Sequence, residues 1–139
     1  MWIDQRGSEV LERNECLRLL ALHAGGVGRF GLLDSGQVVV EPVNYRMLDQ
    51  DVLVQVGAGS MLEAARGEAI VAFEADDLSV AEGQAWSVLV QGLATVVTDV
   101  GSARPAGGAP LVPEPGLSFV RIRTEHLSGR RFTLQPPST

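Results

Sequence analysis

Short segments with strand-like sequence, each closed by a turn signal, limit this chain to a sheet of antiparallel neighbours. Residues 27–33, 38–45 and 52–57 are three such segments. The turn sequences DSGQ (34–37) and DQD (49–51) separate them. Parallel strands need a crossover of a dozen or more residues, usually a helix, and these connections are far shorter. The pattern therefore predicts a meander and excludes a βαβ unit.

Further strands follow along the chain. Residues 69–75 and 86–98 predict two more, and Gly92 marks a bend or bulge in the second. Residues 117–123 alternate as a half-buried strand does, and residues 128–132 are predicted to be a turn followed by a last strand. The pattern is mainly β and predicts a small antiparallel barrel, because closing the sheet removes its exposed edges.

One longer helix is predicted near the N-terminus, over residues 8–24. Its apolar side chains recur near a 3.6-residue period, and Ser8 is a candidate N-cap. Two glycines at 25–26 end it. Cys16 and His23 lie on this helix, and both are interpreted as packing or helix-end residues because no partner pattern surrounds them.

The remaining segments are interpreted as loops. Residues 76–85 form an acidic, solvated loop, and residues 101–116 form a loop rich in proline and glycine that acts as a lid or a connector. Residues 135–139 form a frayed tail. The chain shows no internal repeat, so residues 1–139 are expected to form one domain.

Charge and composition exclude several classes of protein. The chain is 45% hydrophobic and carries a net charge of −6, which argues against binding to nucleic acid or to an anionic membrane surface. No apolar run approaches the ~20 residues of a membrane span, and no signal peptide is present, so a cytoplasmic protein is expected. All 11 basic residues are arginine, which excludes lysine Schiff-base chemistry.

The chain carries no motif of hydrolytic or metal chemistry. Only two histidines are present, at 23 and 126, without the paired spacing of a metal site, and there is no GxSxG motif. The informative segment is 52–66, which reads strand, glycine-rich turn and a short helix over about 61–66, with Ser60 and Glu63 at capping-box spacing. It is either a phosphate cradle built from backbone amides or a strand-to-helix turn that needs glycine for its geometry.

An ordered set of sequence pieces resembles a known family. The pieces are GVGRF, VVVEPVNY, VQVGAGSM, VAFEAD, WSVLVQG and SGRRF, spread over about residues 9–132. Together they resemble the flavin-reductase-like split barrels, that is, the pyridoxamine 5′-phosphate oxidase-like proteins, and in particular small actinobacterial members. The resemblance implies a six-stranded antiparallel split β-barrel of Greek-key type, a homodimer, and FMN bound at the dimer interface by both chains.

The resemblance also implies which residues meet the cofactor, while it leaves catalytic residues unknown and implies no metal. They are Pro42, Val43, Asn44 and Tyr45 along the flavin ring, Val56, Gly57, Gly59, Ser60 and Met61 around the ribityl phosphate, Trp86 and Ser87 against the ring from the partner chain, and Arg130 and Arg131 covering or pairing with the ligand.

Three functions are weighed. The first is a flavin-dependent oxidoreductase, in which the cofactor supplies the chemistry and the protein supplies binding and orientation. The second is a non-catalytic protein of the same scaffold that holds a deazaflavin, haem or no cofactor, because Met61 stands where the family commonly has Lys or Arg. Arg46 or Arg66 could compensate for that loss. The third is a structural dimer without a ligand.

Overall fold

The computed structural model describes residues 2–3, 7–98 and 114–134. In chain order its elements are β1 (Trp2–Ile3), β2 (Glu9–Leu11), α1 (Arg13–His23), β3 (Val27–Asp34), β4 (Gln37–Leu48), β5 (Asp51–Val56), α2 (Ser60–Arg66), β6 (Ile70–Ser79), β7 (Gln84–Val96), β8 (Ser118–Ile122) and β9 (His126–Thr133). Residues 101–113 of the predicted proline-rich loop and the predicted tail at 135–139 lie outside the described residues.

Six antiparallel strands close into a ring in the order β3, β4, β5, β8, β7, β6. This confirms the predicted six-stranded barrel. Strands β9, β2 and β1 extend the sheet outward from β7 and do not take part in the closure. The long strand β7 makes this possible, because Gln84–Gln91 pair with β9 whereas Ala94–Val96 pair with β8.

Gly92 lies where β7 changes partner, as the sequence predicted for a bend. A Cβ atom at this position would lie 1.9 Å from the carbonyl oxygen of Arg123 and 2.9 Å from its carbonyl carbon. The next residue holds this junction together: the Arg123 N–H donates to the Leu93 carbonyl at 3.0 Å, and the Leu93 N–H donates to Oε1 of Glu125 at 3.2 Å. The barrel corner therefore requires a residue without a side chain.

The barrel interior is filled by apolar side chains from every strand of the ring. Phe30 and Phe73 face each other across β3 and β6, and both are fully buried. Helix α2 adds Leu62 and Ala65 to the same core. Burying a large apolar side chain contributes about 1.5–3 kcal/mol, so this interior supplies the main stabilisation of the fold.

Helix α1 lies against the sheet where β9 carries a glycine. A Cβ at Gly129 would lie 2.6 Å from Sγ of Cys16, which is fully buried. The predicted start of this helix was wrong: residues 9–11 form β2, paired with Gly129–Arg131, and the N-cap is Glu12 rather than Ser8. A strand partner from the far end of the chain overrides the local helical pattern there.

Three other local predictions were also wrong. The turn predicted within 128–132 is absent, because β9 runs unbroken over His126–Thr133. The acidic segment 76–85 is not a loop throughout, because β6 continues to Ser79 and β7 begins at Gln84. The N-cap of α2 is Gly59, whose carbonyl accepts the Glu63 N–H at 3.0 Å, and Ser60 is already helical. Gly59 has a φ of 155°, which a residue with a side chain rarely adopts, so it turns the chain into the helix.

In the described part of the chain, no helix has the length and apolar character needed to cross a membrane.

Candidate functional site

One face of the sheet points away from the barrel and carries exposed residues from three neighbouring strands. Cross-strand partners share a face, so the pairs between β3 and β4 define it together with alternate residues of β6. We call it the outer face; its residues are Val27, Arg29, Leu33, Val38, Val40, Pro42, Asn44, Ile70, Ala72, Glu74 and Asp76. Five of its apolar side chains are largely exposed, namely Val27, Leu33, Val38, Val40 and Ile70. Such a row of exposed apolar side chains makes the outer face a candidate interaction surface.

The four β4 residues predicted to line a flavin ring divide between two faces. Pro42 and Asn44 are exposed on the outer face, opposite Arg29 and Val27 of β3. Val43 points the other way and packs against the core. The Asn44 amide nitrogen makes only long contacts of 3.4 Å to the carbonyls of residues 25 and 26.

Tyr45 is a core residue. Its hydroxyl donates to the Leu20 carbonyl at 2.6 Å and lies 3.2 Å from Nδ1 of His23. Its ring contacts Phe73 edge-on, with centroids 4.9 Å apart, and burial raises its pKa. The side chain therefore fastens α1 to the barrel and presents no surface on which a ring could stack.

The predicted phosphate loop leads from β5 into α2. Val56 is buried in the core, whereas Met61 is half-buried and packs against that core with part of its side chain. A Cβ on Gly59 would meet no atom within 4 Å, which leaves open space beside its backbone. Within the loop, the groups that remain for an anion are the backbone amides and the Ser60 hydroxyl.

Two polar side chains outside the loop face the same exterior of the barrel at the β4–β5 pair. Arg46 is paired with Leu53 and is exposed, and among the described residues it forms no ion pair. Gln55, two residues beyond Leu53, turns its side chain away from the core formed by Val54 and Val56. Its Nε2 is buried and has no hydrogen-bond partner among the described residues, and a buried donor without an acceptor requires an explanation.

Gln55 was not among the sequence candidates. Its face could have been deduced, since the alternation of valine, glutamine and valine over 54–56 places the amide opposite the core side chains. Its missing partner could not be deduced from any local pattern.

Trp86 and Ser87 are consecutive in β7 and point to opposite faces of the sheet. Ser87 is paired with Asp76 and with Arg130, on the exterior. Trp86 faces α1, where its ring meets His23 edge-on with centroids 5.6 Å apart. The two side chains therefore cannot both contact the same face of one ring.

The two arginines of β9, Arg130 and Arg131, also point to opposite faces of the sheet. Arg130 shares the exterior with Ser87, whereas Arg131 lies beneath α1. The Arg131 guanidinium binds Glu9 of β2 at 3.1 Å and Glu15 of α1 at 2.8 Å. Arg131 therefore ties three elements together and has its charge matched within the chain.

The Glu15 carboxylate should make stability depend on pH in the acid range. Hydrogen bonds from Arg18 and then Arg131 lower its pKa from 4.5 to about 2. A carboxylate with a lowered pKa in the folded state stabilises fully above its unfolded value and loses that contribution as pH falls through the folded value. We therefore expect the stability difference between the wild type and Glu15→Gln to be full above about pH 4.5 and to shrink towards pH 2.

Urea unfolding across that pH range measures this difference. Glu12→Gln is the matched control, because Glu12 belongs to the same end of α1 and joins no ion pair among the described residues. A Glu15→Gln difference that stayed constant from neutral pH to about pH 2 would contradict the assignment.

Two of the cavities lined by described residues open near charged side chains. The larger, of about 540 Å³, lies between α1 and the end of the β6–β7 hairpin and is lined by Arg18, Leu78, Trp86 and Arg131, among others. The smaller, of about 410 Å³, lies beside Asp51, whose carboxylate accepts from Arg121 at 2.7 Å and from the Thr124 N–H at 3.0 Å. The described residues contain no cluster of His, Cys, Asp and Glu that could hold a metal ion.

The predicted site residues form two groups that stay apart within one chain. Pro42 and Asn44 lie on β4, and Ser87 and Arg130 lie on β7 and β9, with β3 and β6 between them. At the usual spacing of neighbouring strands, Asn44 and Ser87 are separated by ~14 Å. One chain therefore does not bring the two groups together at one point.

Comparisons with known proteins place the sequence in a group of relatives. A family model described as pyridoxamine 5′-phosphate oxidase matches residues 12–131. The chain is 39% identical over 88 residues to the uncharacterized protein Rv3129 of Mycobacterium tuberculosis, which covers 61% of this chain and 78% of that one. It is 36% identical over 97 residues to Rv0080 of the same organism, where the match covers 64% of this chain and only 60% of the relative.

Solved structures share the fold. The FAD-binding protein from Mycobacterium smegmatis is 30% identical, with a TM-score of 0.68 over 90% of this chain and 98% of that one. A haem-binding protein from the same organism is 15% identical, with a TM-score of 0.64 over 84% of this chain and 53% of that one, and shows the fold alone. Proteins of this fold thus include flavin binders and a haem binder.

Proposed function

Because the chain belongs to the pyridoxamine 5′-phosphate oxidase family, we propose that it is a flavin-dependent oxidoreductase that holds its cofactor at the interface of a homodimer. The observation that carries the proposal is the buried Nε2 of Gln55, which has no hydrogen-bond partner among the described residues, on the same face as the exposed guanidinium of Arg46. Both groups are hydrogen-bond donors to which a bound ligand can offer an acceptor. A flavin phosphate supplies several acceptor oxygens together with negative charge.

The residues present fit such a ligand. Arg46 can supply the charge that Met61 lacks, and Gln55 can donate its amide to a phosphate or ribityl oxygen. Pro42 and Val27 offer an exposed apolar wall on the adjoining part of the outer face. FMN is the first candidate, and FAD is tested beside it because the M. smegmatis relative is an FAD-binding protein.

The homodimer follows from the separation of the two groups of site residues. A second copy placed on the outer face would bring Ser87 and Arg130 of the partner subunit towards Pro42 and Asn44. The exposed valines, leucine and isoleucine of that face would be buried in the same step. When bound, a flavin supplies hydride and electron transfer, and the role of this chain is to bind, orient and shield it.

The experiment is the visible spectrum of freshly purified protein, followed by titration with FMN and with FAD. We expect a yellow protein, or a shift of the flavin absorbance on titration of the ligand-free form. Sedimentation of the same sample should show a dimer. A colourless protein that shifts the absorbance of neither flavin would contradict the proposal.

The packing of Met61 against the core favours a second candidate, a non-catalytic binding protein. In that case the loop contributes no cation, and a deazaflavin, haem or no cofactor takes the place of FMN. Native mass spectrometry after expression in a host that makes both flavins and deazaflavins separates the two candidates, because the mass of the bound ligand identifies it.

A further inference from the structure

A cluster of three charged side chains lies on the outer face. Arg29 of β3 is the cross-strand partner of Glu74 on β6, and its Nη1 lies 2.9 Å from Oε1 of Glu74. The same nitrogen lies 3.1 Å from Oδ2 of Asp76, two residues along β6. With one guanidinium and two carboxylates, the cluster carries a net charge of −1 when both acids are ionised.

Apolar residues surround this cluster on the neighbouring strands. Pro42 of β4 is opposite Arg29, and Leu89 of β7, which is partly exposed, is opposite Glu74. The next row along the outer face carries Val40 and Ala72. The cluster therefore lies within an apolar patch that no described residue covers.

The charged groups that face Glu74 can be named strand by strand. Strand β3 contributes Arg29, and β6 contributes Asp76. Strand β4 presents Pro42 there, and β7 presents Leu89 and Ser87, so neither brings a charge. The next cation lies one strand further, at Arg130 of β9, opposite Ser87. Glu74 is thus balanced chiefly by one arginine that it shares with Asp76.

The cluster is complementary to itself. In a two-fold symmetric contact, the arginine of each copy can meet the carboxylates of the other, and every contact occurs twice. A partner of purely one sign would leave either the arginine or the acids unmatched in an apolar surface. This complementarity, together with the exposed apolar side chains around it, selects a second copy of the chain as the occupant of the face.

We propose that a second copy of this chain docks on the outer face with the Arg29–Glu74–Asp76 clusters opposed, and that this association strengthens as the pH falls through neutrality. The inference rests on the homodimer in the proposed function, and it adds that pH regulates the association of the two subunits. At high pH two clusters of net charge −1 meet in apolar surroundings, whereas one proton on each Glu74 makes both clusters neutral.

The raised pKa of Glu74 in the single chain supports stronger association at lower pH. Burial, followed by the nearby Asp76, raises its pKa from 4.5 to about 7. Docking removes more water and adds a second negative cluster, and both effects raise the pKa of a carboxyl group further. The docked state therefore binds more protons than the free state near neutral pH. By linkage, adding protons favours docking and removing them favours dissociation.

The test is subunit exchange between two separately labelled samples. Because the chain has no lysine, an amine-reactive dye attaches only at the α-amino group. Donor-labelled and acceptor-labelled protein are each equilibrated and mixed, and the rise in energy transfer gives the dissociation rate of the dimer. We expect the rate to be about tenfold higher or more at about pH 8.5 than at about pH 6, the effect of roughly one pKa unit.

Glu74→Gln, which is neutral at both pH values, should exchange at the slow rate throughout. Glu12→Gln, which removes a carboxylate on the α1 side of the molecule, should keep the wild-type pH dependence. Equal wild-type rates at both pH values, or a pH dependence retained in Glu74→Gln, would overturn the inference while leaving the dimer in place. A sample that sediments as a monomer at both pH values would instead contradict the homodimer itself.

Discussion

Replacing Gly92 with alanine is expected to destabilise the folded protein more than any other substitution considered for this chain. The new Cβ would lie 1.9 Å from the carbonyl oxygen of Arg123, and that neighbour is backbone held by a hydrogen bond to Leu93. Neither strand can move aside without breaking the corner at which β7 passes from β9 to β8. Overpacking usually costs 1–3 kcal/mol, and a contact this short against backbone should cost about 4 kcal/mol or more.

Thermal and urea unfolding of the purified variant measure this loss, with soluble yield as the first indicator. Gly67→Ala is the control, because Gly67 has a φ of −84° and a Cβ there would be 3.5 Å from its nearest neighbour. It should fold as the wild type does. A Gly92→Ala protein within about 1 kcal/mol of wild type would show that the barrel corner is looser than the structure has it.

Replacing Arg46 with alanine is expected to weaken flavin binding by roughly ten- to a hundredfold. The side chain is exposed and has no acidic partner among the described residues, so its guanidinium is available for a phosphate. A hydrogen bond to a charged group contributes about 1.5–3 kcal/mol, which corresponds to that range of affinity. The measurement is the dissociation constant from flavin fluorescence quenching.

Arg66→Ala is the matched control for this prediction. It removes the same charge from the same part of the chain, but the Arg66 guanidinium is already bound to Glu63 at 2.6 Å. We expect its flavin affinity to stay within about twofold of wild type, and both variants to keep the wild-type melting temperature, since exposed substitutions change stability little. Equal losses in the two variants would show that only the overall charge of the chain matters.

The sequence was sufficient to predict the strands of the barrel, because the signal for each strand lies in its own residues and in the turns beside it. Alternating apolar residues and turn signals such as DSGQ at 34–37 predicted the meander that the structure shows as β3, β4 and β5. The start of α1 could not be predicted, because residues 9–11 are held by pairing with β9 from the other end of the chain. For the same reason, the local sequence did not predict that β6 continues through Asp76 and Asp77, which pair with Ser87 and Trp86.

The candidate site was only partly predictable, for a related reason. The resemblance supplied consecutive residues such as Trp86 and Ser87, although consecutive residues of a strand point to opposite faces. Only the register shows that Ser87 shares a face with Asp76, whereas Trp86 meets His23. Likewise, no sequence pattern reveals that Gln55 lacks a hydrogen-bond partner, because that property depends on everything around the side chain.

The close packing of α1 against Gly129 gives a way to measure when this helix moves away from β9. Cys16 is the only cysteine of the chain and has no exposed surface beneath the helix. A thiol reagent can reach it only after α1 lifts from β9, or after the whole chain unfolds. Its modification rate therefore reports the free energy of that opening, and comparing the rate with and without a ligand shows whether the helix is clamped when the site is filled.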